Sequence, residues 1–117
     1  MAEPARIELL FCYGTLRNKA VQTANFGREL KGRADALPGY TRRMVAINDP
    51  SQAAAIGHSH HANAEPSSHP DDLISGTVFE VTAQELLAAD RYEHAAEYRR
   101  ISVVLRSGDQ AWVYVRA

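Results

Sequence analysis

The chain has 117 residues, enough for one hydrophobic core and too few for two domains. Its apolar content of 45% and charged content of 23% are ordinary globular values, which argues against disorder. With 13 basic and 14 acidic side chains, the net charge of -1 gives no sign of a polyphosphate or an anionic membrane as partner. A single cysteine leaves no intrachain disulfide and no multi-cysteine zinc site, and fits a reducing compartment. The opening "MAEPARIELL" lacks the features of a signal peptide, and no apolar run reaches membrane-spanning length. The expected location is cytoplasmic.

In chain order, "RIELLFCY" places Ile7, Leu9, Phe11 and Tyr13 on one side and Leu10 and Cys12 on the other. Apolar residues on both faces predict a central strand buried on each side. It ends in "YGTL", where a glycine permits a bend and successive N–H groups can form a nest for an anion such as a carboxylate. An ordinary strand-ending turn explains the same four residues equally simply. From Asn18 to Leu30 the spacing is loosely helical, weakened at Gly27. "GRADALPGYTRRMVAI" reads as two strands about a chain reversal at Pro38-Gly39.

Residues 48–72 are rich in small and polar side chains, hold three of the five prolines and show no period. They predict a long surface loop. Its histidines, His58, His60, His61 and His69 near Glu65, have the donor chemistry for zinc or nickel. A loop that does not fix ligand directions is a poor preorganised site, so no metal is expected. "LISGTVFEV" resumes a strand, and "TAQE" is a capping-box pattern opening a short helix that ends near Asp90. "YRRISVVLRSGDQAWVYVRA" predicts a closing hairpin across Gly108-Asp109. The class is α+β, with a mixed sheet able to curl into a barrel.

Candidate chemistry concentrates on Glu93, in "DRYEHAAEYRR", expected in a bend between helix and strand. Tyr92 and Tyr98 can wall it from water, which raises a carboxyl's pKa into the range useful for acid and base work. Taken alone, the residue types favour a plainer role, a surface pairing with Arg91, Arg99 or Arg100. Cys12, flanked by Phe11 and Tyr13 in mid-strand, reads as a buried, inert thiol.

Four short motifs, "FCYGTLR", "GTVFEV", "ADRYEHAAEYRRISVVL" and "AWVYV", come in an order and spacing that resembles the gamma-glutamylcyclotransferase-like superfamily, in its small AIG2-like branch. The resemblance spans nearly the whole chain. It implies a single domain over residues 1–117, a mixed β-barrel of about six strands flanked by short helices, and a pocket beside the opening loop. Tyr13, Gly14, Thr15 and Leu16 would hold the amino-acid end of a γ-glutamyl group, Glu93 would be the catalytic general acid and base, and Tyr98 would line the pocket. The implied reaction closes the γ-glutamyl group to 5-oxoproline with release of an amine, without cofactor or metal, with a small-molecule substrate as partner and no nucleic acid or membrane. A non-catalytic binder of an amino-acid-like carboxylate is the alternative on the same fold. Two positions depart from the family pattern: Ala89 replaces a leucine, and His94 replaces the glycine after the glutamate. A left-handed backbone at His94 would carry a strain cost and re-aim Glu93.

Overall fold

The structure is a computed structural model that describes residues 7–46 and 60–116. Strand β1 (Ile7–Cys12) leads through a single 3-10 turn (Thr15–Arg17) into helix α1 (Lys19–Phe26). Strands β2 (Lys31–Pro38), β3 (Tyr40–Ala46), β4 (His60–Pro66) and β5 (Leu73–Thr82) follow, then helix α2 (Ala83–His94) and the hairpin β6 (Tyr98–Val104) and β7 (Gln110–Arg116). Five strands form one mixed sheet in the order β2-β5-β1-β7-β6, and β3 and β4 form a separate two-stranded ribbon. Only the β1/β7 pair is parallel.

The α+β class is as the sequence predicts. The barrel is approximate rather than closed, with seven described strands in two sheets. The ribbon folds across one face and is tied to the large sheet where the Arg116 N–H donates to Asn63 Oδ1 at 2.9 Å.

β1 occupies the middle of the large sheet because its side chains are apolar both ways. Phe11 and Tyr13 join Leu37, Val78, Val113 and the ribbon's Ala62 and Ala64 in one core. Leu10 and Cys12 join Val81, Leu86, Ala89, Tyr114 and the helices in the other. Gly76 on β5 fits this crowding: a Cβ there would lie 2.5 Å from the Cys12 carbonyl oxygen and 2.7 Å from the Phe11 ring.

Local signals set the helix ends. Asn18 Oδ1 accepts from the Ala20 and Val21 N–H groups, and Gly27 ends α1 in the left-handed region at φ 73°. The predicted capping box forms: Thr82 Oγ1 accepts from the Glu85 N–H at 3.1 Å, and Glu85 Oε1 accepts from the Thr82 N–H at 2.9 Å. The closing hairpin turns at Gly108, φ 94°.

Three expectations are corrected. The strands flanking Pro38-Gly39 do not pair with each other; β2 pairs with β5 and β3 with β4, so Gly39 (φ 79°) carries the chain between sheets. The predicted loop over 48–72 contains strand β4; Ala62 and Ala64 are small and buried, and Asn63 between them is buried too, so the strand shows no apolar–polar alternation. Helix α2 runs four residues beyond Asp90 to His94, since nothing between them breaks a helix. Residues 47–59, including His58, lie outside the described residues, as do the side chains of His60 and His61.

Candidate active site

The strand-to-turn hook after β1 and the last turn of α2 converge on one hollow. It is lined by Phe11, Cys12 and the hook from Tyr13 to Leu16, with Ala62, Glu93, Tyr98 and Tyr114 completing it. About 290 Å³ is free of atoms, mouth included, while the centre of a water-sized sphere has about 20 Å³ in which to move.

Glu93 is the one carboxyl in that lining. Helical periodicity puts it there, since Leu86, Ala89 and Glu93 form the buried stripe of α2. Only 5% of Glu93 is exposed, and its Oε2 atom has no hydrogen-bond partner among the described residues. Stripped of water, the carboxyl holds its proton up to about pH 8. The surface pairing is overturned: Arg100 is taken by Asp90, at 2.9 and 3.0 Å, and Glu93 faces inward. His94 bears no left-handed strain either. Among the described residues the non-glycine with positive φ is Glu97 (φ 67°), three positions later, so Glu93 keeps helical geometry.

The hook is braced on every side. Tyr13 Oη donates to the Tyr114 carbonyl at 2.6 Å and accepts from the Ala64 N–H at 2.9 Å, so its hydroxyl joins the large sheet to the ribbon. Gly14 has φ -131° and ψ -143°, outside the left-handed region. The turn's own bonds run from the Arg17 N–H to the Gly14 carbonyl at 3.2 Å and from the Asn18 N–H to the Thr15 carbonyl at 2.9 Å. Thr15 Oγ1 lies 2.8 Å from Tyr92 Oη, which joins the hook to the residue preceding Glu93. Arg17 folds back to donate to the Tyr13 carbonyl at 3.1 Å.

Gln22 is the residue sequence reasoning missed. It is 2% exposed, donates through Nε2 to the Leu16 carbonyl at 2.8 Å and accepts the Leu30 N–H at 2.9 Å. It thereby fixes the end of the hook to the α1–β2 connection. A glutamine beside Val21 in a stretch of small apolar residues was the available signal.

Tyr98 is buried and donates to the Ala62 carbonyl at 2.7 Å; burial, then the Glu93 charge, pushes its pKa up to about 12. Burial foremost and the Glu93 charge next raise the Cys12 thiol far above its usual range, which leaves it protonated and unreactive. Of the histidine segment, His69 is exposed after β4, and Glu65 lies 3.6 Å from Arg43. No cluster with metal-binding composition occurs among the described residues.

A family model described as "Gamma-glutamyl cyclotransferase, AIG2-like" matches residues 10–117. Among solved structures, a solution structure from Arabidopsis thaliana superposes with a TM-score of 0.73 at 20% identity, covering 97% of this chain and 71% of that one. A second Arabidopsis thaliana protein gives 0.74 at 20% identity, with 99% and 66% covered. A chain named gamma-glutamyl cyclotransferase gives 0.71 at 15% identity, with 96% and 68% covered. At these identities the structural likeness establishes the fold. The chain spans about two thirds of the length of these neighbours. A search of curated proteins gave no match.

Proposed function

The chain belongs to the AIG2-like gamma-glutamyl cyclotransferase family, and from that premise we propose that it cyclises a γ-glutamyl amide to 5-oxoproline, with Glu93 as the acid–base group. The observation that carries this reading is the buried Oε2 of Glu93, without a hydrogen-bond partner among the described residues, in a hollow shared with the Tyr13–Leu16 hook.

The reaction needs no nucleophile from the protein. The substrate's own α-amine attacks its γ-carbonyl carbon, a new C–N bond closes the five-membered ring, and the bond to the departing amine breaks. What remains for the protein is to hold the folded substrate and to carry protons from the attacking to the departing nitrogen. Ionised Glu93 takes one proton from the α-ammonium group and passes it to the leaving nitrogen; the attacking nitrogen gives up a second proton as it becomes the lactam N–H, and both leave on the amine, which departs as an ammonium ion. A carboxyl poised at about pH 8 suits both transfers near neutrality. Main-chain N–H groups of the hook anchor the α-carboxylate end, and the braces on Thr15 and Leu16 keep them aimed. This division of labour accounts for a hook without reactive side chains.

Glu93→Gln keeps the side-chain size and removes the proton carrier. The variant is expected to retain binding of γ-glutamyl-alanine, seen as a thermal shift, and to lose about 10²–10⁴-fold in 5-oxoproline release. Undiminished release would end the assignment, and stabilisation of the wild-type protein without any product would favour the non-catalytic binder.

A further inference from the structure

Glu93 stands one residue from the end of α2, in the turn where a helix holds its own backbone least firmly. Directly after His94 the chain turns away. The Ala96 N–H donates to the Glu93 carbonyl at 3.0 Å and the Glu97 N–H to the His94 carbonyl at 3.0 Å, with Glu97 in the left-handed region. What fixes the Glu93 carboxyl against the hook must therefore come from outside the helix.

Two ties reach α2 near this end. Asp90 accepts from Tyr114 Oη at 2.6 Å and from the Arg100 guanidinium at 2.9 and 3.0 Å. Beyond Asp90, the side-chain hydrogen bond of α2 among the described residues is the one joining Tyr92 Oη and Thr15 Oγ1, at 2.8 Å. Tyr92 is half-buried, and burial foremost raises its phenol above the ordinary range, so the O–H persists at neutral pH. Thr15 and Glu93 line the hollow, whereas Tyr92 joins them from outside that lining.

The two ends of this bond are not equally held. On the hook, Tyr13 Oη is bonded to both sheets, Arg17 holds the Tyr13 carbonyl and Gln22 holds the Leu16 carbonyl. On α2, the last hydrogen-bonded side chain before Tyr92 is Asp90, three residues ahead of Glu93. If the bond is lost, the looser side yields, and that side carries the acid–base group. We infer that Tyr92 is a positioning residue: through Thr15 its hydroxyl fixes the Glu93 carboxyl relative to the hook, and so serves the chemical step and not ligand capture. The consequence for turnover rests on the cyclisation reading, whereas the placement of Glu93 does not.

Tyr92→Phe removes the hydroxyl and keeps the ring. With γ-glutamyl-alanine as substrate, kcat for 5-oxoproline release is expected to fall about 10–100-fold while KM changes by less than about twofold. In a Thr15→Val background, taken as its own reference, Tyr92→Phe should cost nothing further, because the partner hydroxyl is already gone. A second readout does not depend on turnover. NMR titration of the Glu93 side-chain carboxyl carbon should show the midpoint moving down from about 8 in Tyr92→Phe, as the released turn admits water to the carboxyl. The other titratable groups of the lining, Cys12, Tyr13, Tyr98 and Tyr114, are all raised by burial and stay protonated through this range, so the midpoint reports Glu93. An unchanged kcat, a rise in KM in place of the fall in kcat, or an equal Tyr92→Phe effect in the Thr15→Val background overturns the inference and leaves the cyclisation reading standing. If the wild type releases no 5-oxoproline, the cyclisation reading fails and the midpoint decides Tyr92 by itself: a downward shift keeps the assignment, and an unmoved midpoint ends it.

Discussion

The buried carboxyl of Glu93 makes the protein's stability depend on pH in a specific direction. Below about pH 4.5 the folded and unfolded chains both hold the proton. Between 4.5 and about 8 the unfolded chain releases it and the native hollow keeps it. The unfolded state then binds fewer protons, so stability falls as pH rises, and the fall levels off once native Glu93 ionises above about 8. At about 1.36 kcal/mol per pH unit, the rise from 4.5 to about 8 sets a ceiling on the order of 5 kcal/mol. Water entering at the mouth of the hollow lowers that ceiling, and about 2–4 kcal/mol is the expected observable loss. Glu93→Gln removes the titration while leaving every other ionisable group in place. Urea unfolding of both proteins from pH 4 to 9 gives the two stabilities, and their difference isolates Glu93. The variant should gain steadily on the wild type across the window from 4.5 to 8, whatever fixed cost its buried amide carries. Parallel curves would refute the reasoning, because they would mean that the Glu93 carboxyl is solvated in the native protein.

Two further substitutions probe what supports the hook. Gln22→Leu leaves the Leu16 carbonyl and the Leu30 N–H buried without their partner, and should cost about 2–4 kcal/mol in urea unfolding together with a raised KM; a loss below about 0.5 kcal/mol would show that the hook is held by other contacts. Gly76→Ala forces a methyl against the Cys12 carbonyl and the Phe11 ring, so a destabilisation of about 1–3 kcal/mol is expected, and a neutral result would contradict the tight β5–β1 packing.

Much of this fold was legible because its signals are local and chemically distinct. The Thr82–Glu85 box and the turn at Gly108 each act within a few residues and form as read, and Gly27, read as weakening α1, ends it. The two-sided apolar pattern of "LLFC" likewise identified the central strand. Strand β4 was hidden because its buried residues are Ala62, Asn63 and Ala64, small or polar side chains with no alternation, and its backbone partners Tyr13 and Tyr98 are distant in sequence. Partner choice at Pro38-Gly39 was hidden for a related reason: a chain reversal fixes direction locally, whereas pairing depends on which sheet offers an edge.

At the site, Glu93 and the hook were named from the sequence, but their setting was not. The helix was expected to stop at Asp90, and only its continuation to His94 puts Glu93 on the stripe of Leu86 and Ala89. The tyrosines drew attention as apolar walls, yet the hydroxyls of Tyr13, Tyr92 and Tyr98 spend themselves on hydrogen bonds that hold the site together. Such roles depend on partners up to a hundred residues away, which no window along the chain contains.

The central claim, that Glu93 is a desolvated proton carrier within reach of a ligand held by the hook, is tested most directly by NMR titration of the Glu93 side-chain carboxyl carbon, with and without 5-oxoproline. The account predicts a midpoint near pH 8 in the free protein and a displaced midpoint when the product is bound. A midpoint near the ordinary 4.5 that ignores the ligand would contradict it.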